Sequence, residues 1–109
     1  MFGNMYGFKE IDAAQLAELR LRGPLKLIDV RTDAEFAAGR IAGAVHLPLH
    51  LLPFKAEDLA GEEPVVFYCR SGARSAQAAA FMASRGMKEV YNLVGGVMGW
   101  AQAGQALAA

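Results

Sequence analysis

The sequence predicts an α/β domain built on parallel strands. Segments rich in Val, Ile, Leu and aromatic residues alternate with helix-like segments along the chain. One of them, Pro64-Val65-Val66-Phe67-Tyr68-Cys69, is a short continuous apolar run, as in a central parallel strand covered on both faces. A chain of 109 residues is the size of one compact domain and can bury a core without disulfides or metals. We therefore expect a single domain over residues 1–109, with its core at about 8–103.

The elements follow in order. A short strand is expected at Phe8–Ile11. Asp12 caps a helix running to about Leu21, and Gln15 stands where a capping box needs it. Leu16 and Leu19, with Ala13 or Arg20, form the inner face, and Gly23-Pro24 stops the helix. Leu25–Val30 reads as the second strand. Thr32-Asp33-Ala34-Glu35 repeats the capping-box spacing and opens a short helix that ends at Gly39. Ala44–Leu47 is a third short strand, closed by Pro48. Between Leu49 and Ala60 one or two helical turns are expected, interrupted at Pro53. After the central strand, Arg70–Ala73 form a polar loop and Ser75–Arg85 a helix ended by Gly86. Glu89–Leu93 is the last strand, and Gly95-Gly96 turn the chain into a final helix near Trp100. The Ala-rich tail at 104–109 is expected to fray.

Composition narrows the function. Lys+Arg and Asp+Glu balance at 11 each, which argues against a nucleic-acid or anionic-membrane binder. No apolar run is long enough to span a membrane. Met1–Glu10 has no apolar stretch of the secretory type, so the cytoplasm is the expected compartment. The single cysteine cannot form an internal disulfide and suits a reducing compartment or a reactive thiol. One Cys and two His, with no metal-ligand spacing between His46 and His50, point to no metal and no cofactor.

The chemistry sits in Cys69-Arg70-Ser71-Gly72-Ala73-Arg74-Ser75. A strand delivers the thiol to the carboxyl end of the sheet, where ligands bind in open parallel sheets. Gly72 lets the loop curl, and the next helix points its unpaired N–H groups and positive dipole end at the loop. Loop amides, helix end and two guanidinium groups make an anion site that favours thiolate over thiol. Many lone cysteines are inert core residues. Arg-x-Gly-x-Arg after a given Cys, however, is expected roughly once in several thousand cases, and an inert thiol gains nothing from it.

At this point the sequence resembles the rhodanese-like sulfurtransferases. Asp29-Val30-Arg31 with Glu35-Phe36 is similar to the family's first motif, and Gly39-Arg40-Ile41-Ala42-Gly43-Ala44-Val45-His46-Leu47-Pro48 to its second. Cys69–Ser75 resembles its active-site loop. Tyr91-Asn92-Leu93-Val94-Gly95-Gly96 with Gly99-Trp100 resembles its C-terminal motif. Arg40 stands where the family often has His, and we expect that difference to lie on the surface. The resemblance implies a central parallel five-stranded sheet with helices on both faces. It also implies a thiosulfate sulfurtransferase type of activity. Cys69 would take sulfur from a thiosulfate-like donor as a persulfide and pass it to cyanide, a thiol or a sulfur-relay protein. Arg70 and Arg74 would clamp the oxyanion, and the backbone of Arg70, Ser71, Gly72, Ala73, Arg74 and Ser75 would cradle the persulfide.

Other residues take supporting parts. Asp29, Arg31 and Glu35 are expected to form a polar group at the strand end, with Asp29 nearest the loop. Gly95 and Gly96 permit close backbone approach, Trp100 belongs to the core, and Val94, Val97 and Met98 are candidates for an apolar rim. His46 and His50 are structural or surface residues. Two alternatives stand beside the sulfurtransferase. Cysteine-dependent phosphatases and arsenate reductases also use a thiolate in an anion loop. Their loop holds one residue more than the four between Cys69 and Arg74, and no aspartic general acid is evident here. A non-enzymatic sulfur carrier or binding module needs the same loop, and turnover with small donors separates it from an enzyme.

Overall fold

The computed structural model describes residues 7–109, so the reading of Met1–Tyr6 lies outside the described residues. Five strands form one parallel sheet: β1 (Lys9–Ile11), β2 (Lys26–Asp29), β3 (Val45–His46), β4 (Val65–Tyr68) and β5 (Val90–Leu93). Their spatial order is β1-β5-β4-β2-β3, with β4 at the centre. The register pairs Ile28 with Phe67 and Phe67 with Asn92, so the carboxyl ends of β2, β4 and β5 open on the same side.

Alternation along the strands sends side chains to two cores. Ile28, Val30, Val65, Phe67 and Cys69 pack with Ala78, Ala79 and Met82 of α4 (Ala73–Ser84) and with Leu52 of α3 (Leu52–Lys55). Leu27, Val66, Tyr68 and Leu93 pack on the other face with Leu16 of α1 (Ala13–Arg22) and with Val97 and Trp100 of α5 (Gly96–Gln102). Val65, Val66, Phe67 and Tyr68 are each 0% exposed, which is why β4 reads as an unbroken apolar run. The α/β architecture expected from the sequence is therefore present, with helices on both faces.

Local signals hold where they are local. Asp12 and Gln15 make the reciprocal capping box of α1, at 2.8 Å each way. Thr32 and Glu35 do the same for α2 (Asp33–Ala38). Other expectations change. Pro53 does not interrupt a helix. It lies in the first turn of α3, where its missing N–H has no helical partner to lose, between two 3₁₀ turns at Leu49–Leu51 and Ala56–Leu59. Helix α4 starts at Ala73, two residues before the expected Ser75, because Gly72 turns the chain at φ +111°.

The tail is hydrogen-bonded back onto the domain. Arg40 and Ala108 exchange backbone hydrogen bonds at 2.9 and 2.7 Å, and the Arg40 guanidinium donates to the Ala109 carbonyl at 2.9 Å. Trp100 Nε1 adds a bond to the Ala106 carbonyl. Arg40 is thus a tether for the C-terminus and also lies over the Phe36 ring.

Two contacts brace the carboxyl end of the sheet. Gly96 adopts φ +57°, and a Cβ there would collide with the carbonyl oxygens of Cys69 and Arg70. Those oxygens accept the N–H groups of Val97 and Met98 at 2.9 and 3.1 Å, so α5 is seated on the backbone of the cysteine loop. On the other side Glu35 of α2 takes the Arg74 guanidinium of α4 in a two-pronged pair at 2.8 and 2.9 Å. Arg74 first, and the Thr32 amide next, hold the Glu35 carboxyl down at about 2.

Gly96→Ala is expected to destabilise the domain by ~3 kcal/mol or more, because backbone must move. Thermal unfolding of the two proteins checks this. The lowered Glu35 value gives a second expectation. Its stabilisation is complete above the unfolded-state value of about 4.3 and is lost as pH falls towards about 2. Glu35→Gln should therefore flatten the fall in urea midpoint across that window, by ~1 kcal/mol or less since the pair is partly exposed to solvent.

Candidate active site

Cys69 follows β4 directly and its sulfur is buried, 1% exposed as a residue. Its Sγ accepts the Gly72 amide at 3.1 Å and lies 3.4 Å from both the amide and the hydroxyl of Ser75. Helix α4 has no side-chain N-cap, so the sulfur itself takes the Ser75 N–H that a capping oxygen would otherwise take. Burial pushes the Cys69 thiol up. The donors from Ser75, Gly72 and Ser71 outweigh it, and the net direction is down from the ordinary value.

Gly72 fits this turn because its φ of +111° suits glycine; a Cβ there would make only ordinary contact with Gly95 N and the Leu93 carbonyl, both at 3.5 Å. Ala73 and Ser71 are exposed, and Arg70 extends into solvent while its carbonyl is held by Met98. The two arginines therefore differ in situation. Arg74 is committed to Glu35, whose hydrogen bonds raise its value further; Arg70 is solvated.

The strand-end polar group is arranged differently from the expectation. Asp29, 0% exposed, holds the Arg31 guanidinium through bonds of 2.6 to 3.0 Å and also accepts the Arg31 amide at 2.9 Å. Arg31 continues to the Gly39 carbonyl at 2.7 Å. Glu35, not Asp29, is the member bonded to the cysteine loop and its helix, through Arg74. His46 stacks on Phe36 at 4.5 Å between centroids and bonds the Arg31 carbonyl at 2.8 Å, a structural place, while His50 is exposed. Val97 is buried beneath the loop, and Val94 and Met98 are exposed. No group of His, Cys, Asp and Glu able to hold a metal occurs among the described residues.

A cleft of about 560 Å³ lies at the carboxyl end of β2, walled by Val30, Thr32, Pro48, Leu49, His50 and Arg74. A second, of about 550 Å³, opens where β4 begins and α4 ends, the far end of the sheet from Cys69. The first stands where parallel sheets bind ligands.

The sequence reading assigned no separate part to Asn92 or Glu10. Asn92 on β5 is 2% exposed, and its Oδ1 accepts the Ser75 hydroxyl at 2.5 Å. Its Nδ2 donates to the Gly72 carbonyl at 3.2 Å and to Glu10 of β1 at 3.3 Å. The available signal was an amide within the apolar strand Val90-Tyr91-Asn92-Leu93, since a buried amide must find partners.

Comparison with known proteins agrees with this geometry. The profile of the rhodanese-like domain matches residues 12–103. A sulfurtransferase from Allochromatium vinosum is 44% identical over 96 residues, covering 87% of this chain and 90% of that protein. The thiosulfate sulfurtransferase GlpE of Ectopseudomonas mendocina is 38% identical over 96 residues, covering 88% and 87%. A solved structure from Rhodopseudomonas palustris, of unknown function and described as a possible tyrosine phosphatase, superposes with a TM-score of 0.85 at 26% identity, covering 93% and 85%. With a sheet of this order, a cysteine at the end of its central strand and a profile match over most of its length, the chain belongs to the rhodanese-like domain family.

Proposed function

We propose that this protein is a thiosulfate sulfurtransferase that carries sulfur as a persulfide on Cys69. The observation that carries the reading is the ring of donors around one buried sulfur, from the Gly72 amide and from the Ser75 amide and hydroxyl. Such a ring stabilises a thiolate and then the equally anionic persulfide.

In the first half-reaction the Cys69 thiolate attacks the outer sulfur of thiosulfate. A Cys–S bond forms, the S–S bond of the donor breaks, and sulfite leaves with the electron pair. In the second, cyanide or a thiolate attacks the outer persulfide sulfur and the Cys69 thiolate is released. The products are thiocyanate or a new persulfide. Neither half-reaction removes a proton from the donor, so no histidine base is required, in keeping with the structural place of His46. Arg70, solvated at the mouth of the loop, is suited to meet the sulfonate end of the donor, while Arg74 shapes the loop through Glu35. The cleft beside Arg74 gives room for an acceptor thiol or for the arm of a sulfur-relay protein. The reaction is assigned to the cytoplasm, where thiol acceptors are kept reduced; no helix among the described residues is long and apolar enough to cross a membrane.

A phosphatase, which the description of the Rhodopseudomonas palustris structure names only as possible, is a second reading. It is disfavoured by the loop of four residues between Cys69 and Arg74 and by the engagement of Arg74 with Glu35.

Intact mass after incubation with thiosulfate is expected to rise by one sulfur atom in the wild type and not in Cys69→Ser. Cyanide should remove the sulfur with formation of thiocyanate. A wild type that takes up no sulfur, or one that hydrolyses phosphate esters, refutes the assignment. Arg70→Ala should lower kcat/KM for thiosulfate about tenfold, as for loss of one charged hydrogen bond, with Arg70→Lys falling between. Steady-state thiocyanate formation measures this.

A further inference from the structure

The Ser75 hydroxyl has one hydrogen and two buried acceptors within reach. Asn92 Oδ1 is 2.5 Å from it and Cys69 Sγ is 3.4 Å away. The orientation of the Asn92 amide is not free, because its nitrogen faces two acceptors, the Gly72 carbonyl and the Glu10 carboxylate. Its oxygen must therefore face Ser75 and accept. While the hydroxyl donates to Asn92, only a lone pair faces the sulfur, an arrangement that suits a thiol donating S–H to Ser75. An anionic sulfur needs the opposite arrangement. The hydroxyl must then turn to the sulfur and leave Asn92 Oδ1, in a residue 2% exposed, with one partner fewer.

We propose that Asn92, anchored by Glu10, is a positioning residue that holds the Ser75 proton while Cys69 is a thiol and yields it to the sulfur when Cys69 becomes anionic. The inference rests on the reading of Cys69 as an anionic nucleophile and names a residue on another strand that governs it. Glu10 matters because its negative charge on the amide nitrogen strengthens Oδ1 as an acceptor. The other charged groups near the cluster are Arg74 of α4, paired with Glu35 of α2, the Asp29–Arg31 pair at the end of β2, and Arg70 in the loop. Helix α5 presents none.

The test reads ionisation alone. Alkylation by iodoacetamide, followed by intact mass across pH, reports the thiolate of the chain's one cysteine. Asn92→Ala is expected to lower the alkylation midpoint by about one pH unit, about tenfold more thiolate on its acid side, because the freed proton goes to the sulfur. Ser75→Ala should raise it, and in that background Asn92→Ala should change nothing. A midpoint that rises or stays put in Asn92→Ala, or falls equally without Ser75, overturns the proposal. If Asn92→Ala does not fold, the side-chain amide resonances of Asn92 serve instead. In the wild type they should follow the Cys69 midpoint, and in Ser75→Ala they should not; movement in both overturns the proposal. The coupling present in a protein that accepts no sulfur would refute the proposed function and leave this inference standing, while sulfur uptake without the coupling would do the reverse.

Discussion

The turn from β4 into α4 is held from three directions at once. The Tyr68 carbonyl accepts from Val30 of the β2 end, and the Cys69 and Arg70 carbonyls accept from the first turn of α5. The sulfur itself takes amides from the far side of the loop. A backbone enclosed in this way is held in place by its neighbours. In the proposed reaction its donors would need little reorganisation when charge develops on sulfur. The close seat of α5 depends on the absence of a side chain at Gly96, so a small residue outside the loop sets the geometry within it.

Charge is distributed by the same logic. Three of the arginines near the carboxyl end are spent on structure: Arg31 on buried Asp29, Arg74 on Glu35, and Arg40 on the chain terminus. Of these only the Arg31–Asp29 pair is buried and expensive to break; the Arg74–Glu35 pair is partly exposed and the Arg40 contact is exposed. Arg70, next to Cys69 in the chain, remains exposed to solvent, and we propose that it meets the incoming anion. Division of labour between braced and free cations suits the proposed transfer reaction, in which both donor remnant and acceptor product would have to leave.

Legibility followed sequence distance. Both capping boxes join residues three apart and were read correctly, since local chemistry decides them. Strand β4 was legible because burial on both faces leaves an apolar run. The early start of α4 was not, because Gly72 closes the loop sooner than the apolar pattern begins. The partner of Arg74 lies 39 residues away, and that of Arg40 69 residues away, so neither pairing has a local sign. Asp29 looked nearest the loop, yet Arg31, two residues on, folds back and takes both its oxygens.

The sequence by itself determined the kind of domain and the order of its elements, and it singled out the cysteine that we propose as the reactive atom. Those follow from periodicity, capping and a cysteine set between a strand and a helix, all of which act over a few residues. Tertiary structure decided which groups surround that atom. Asn92, Glu10, Ser75 and Cys69 come from two strands, a helix and a strand end, and only the parallel register of β1, β5 and β4 brings their polar atoms within hydrogen-bond reach. One hydrogen shared among buried acceptors is a property of that assembly, and no local stretch of the chain contains it.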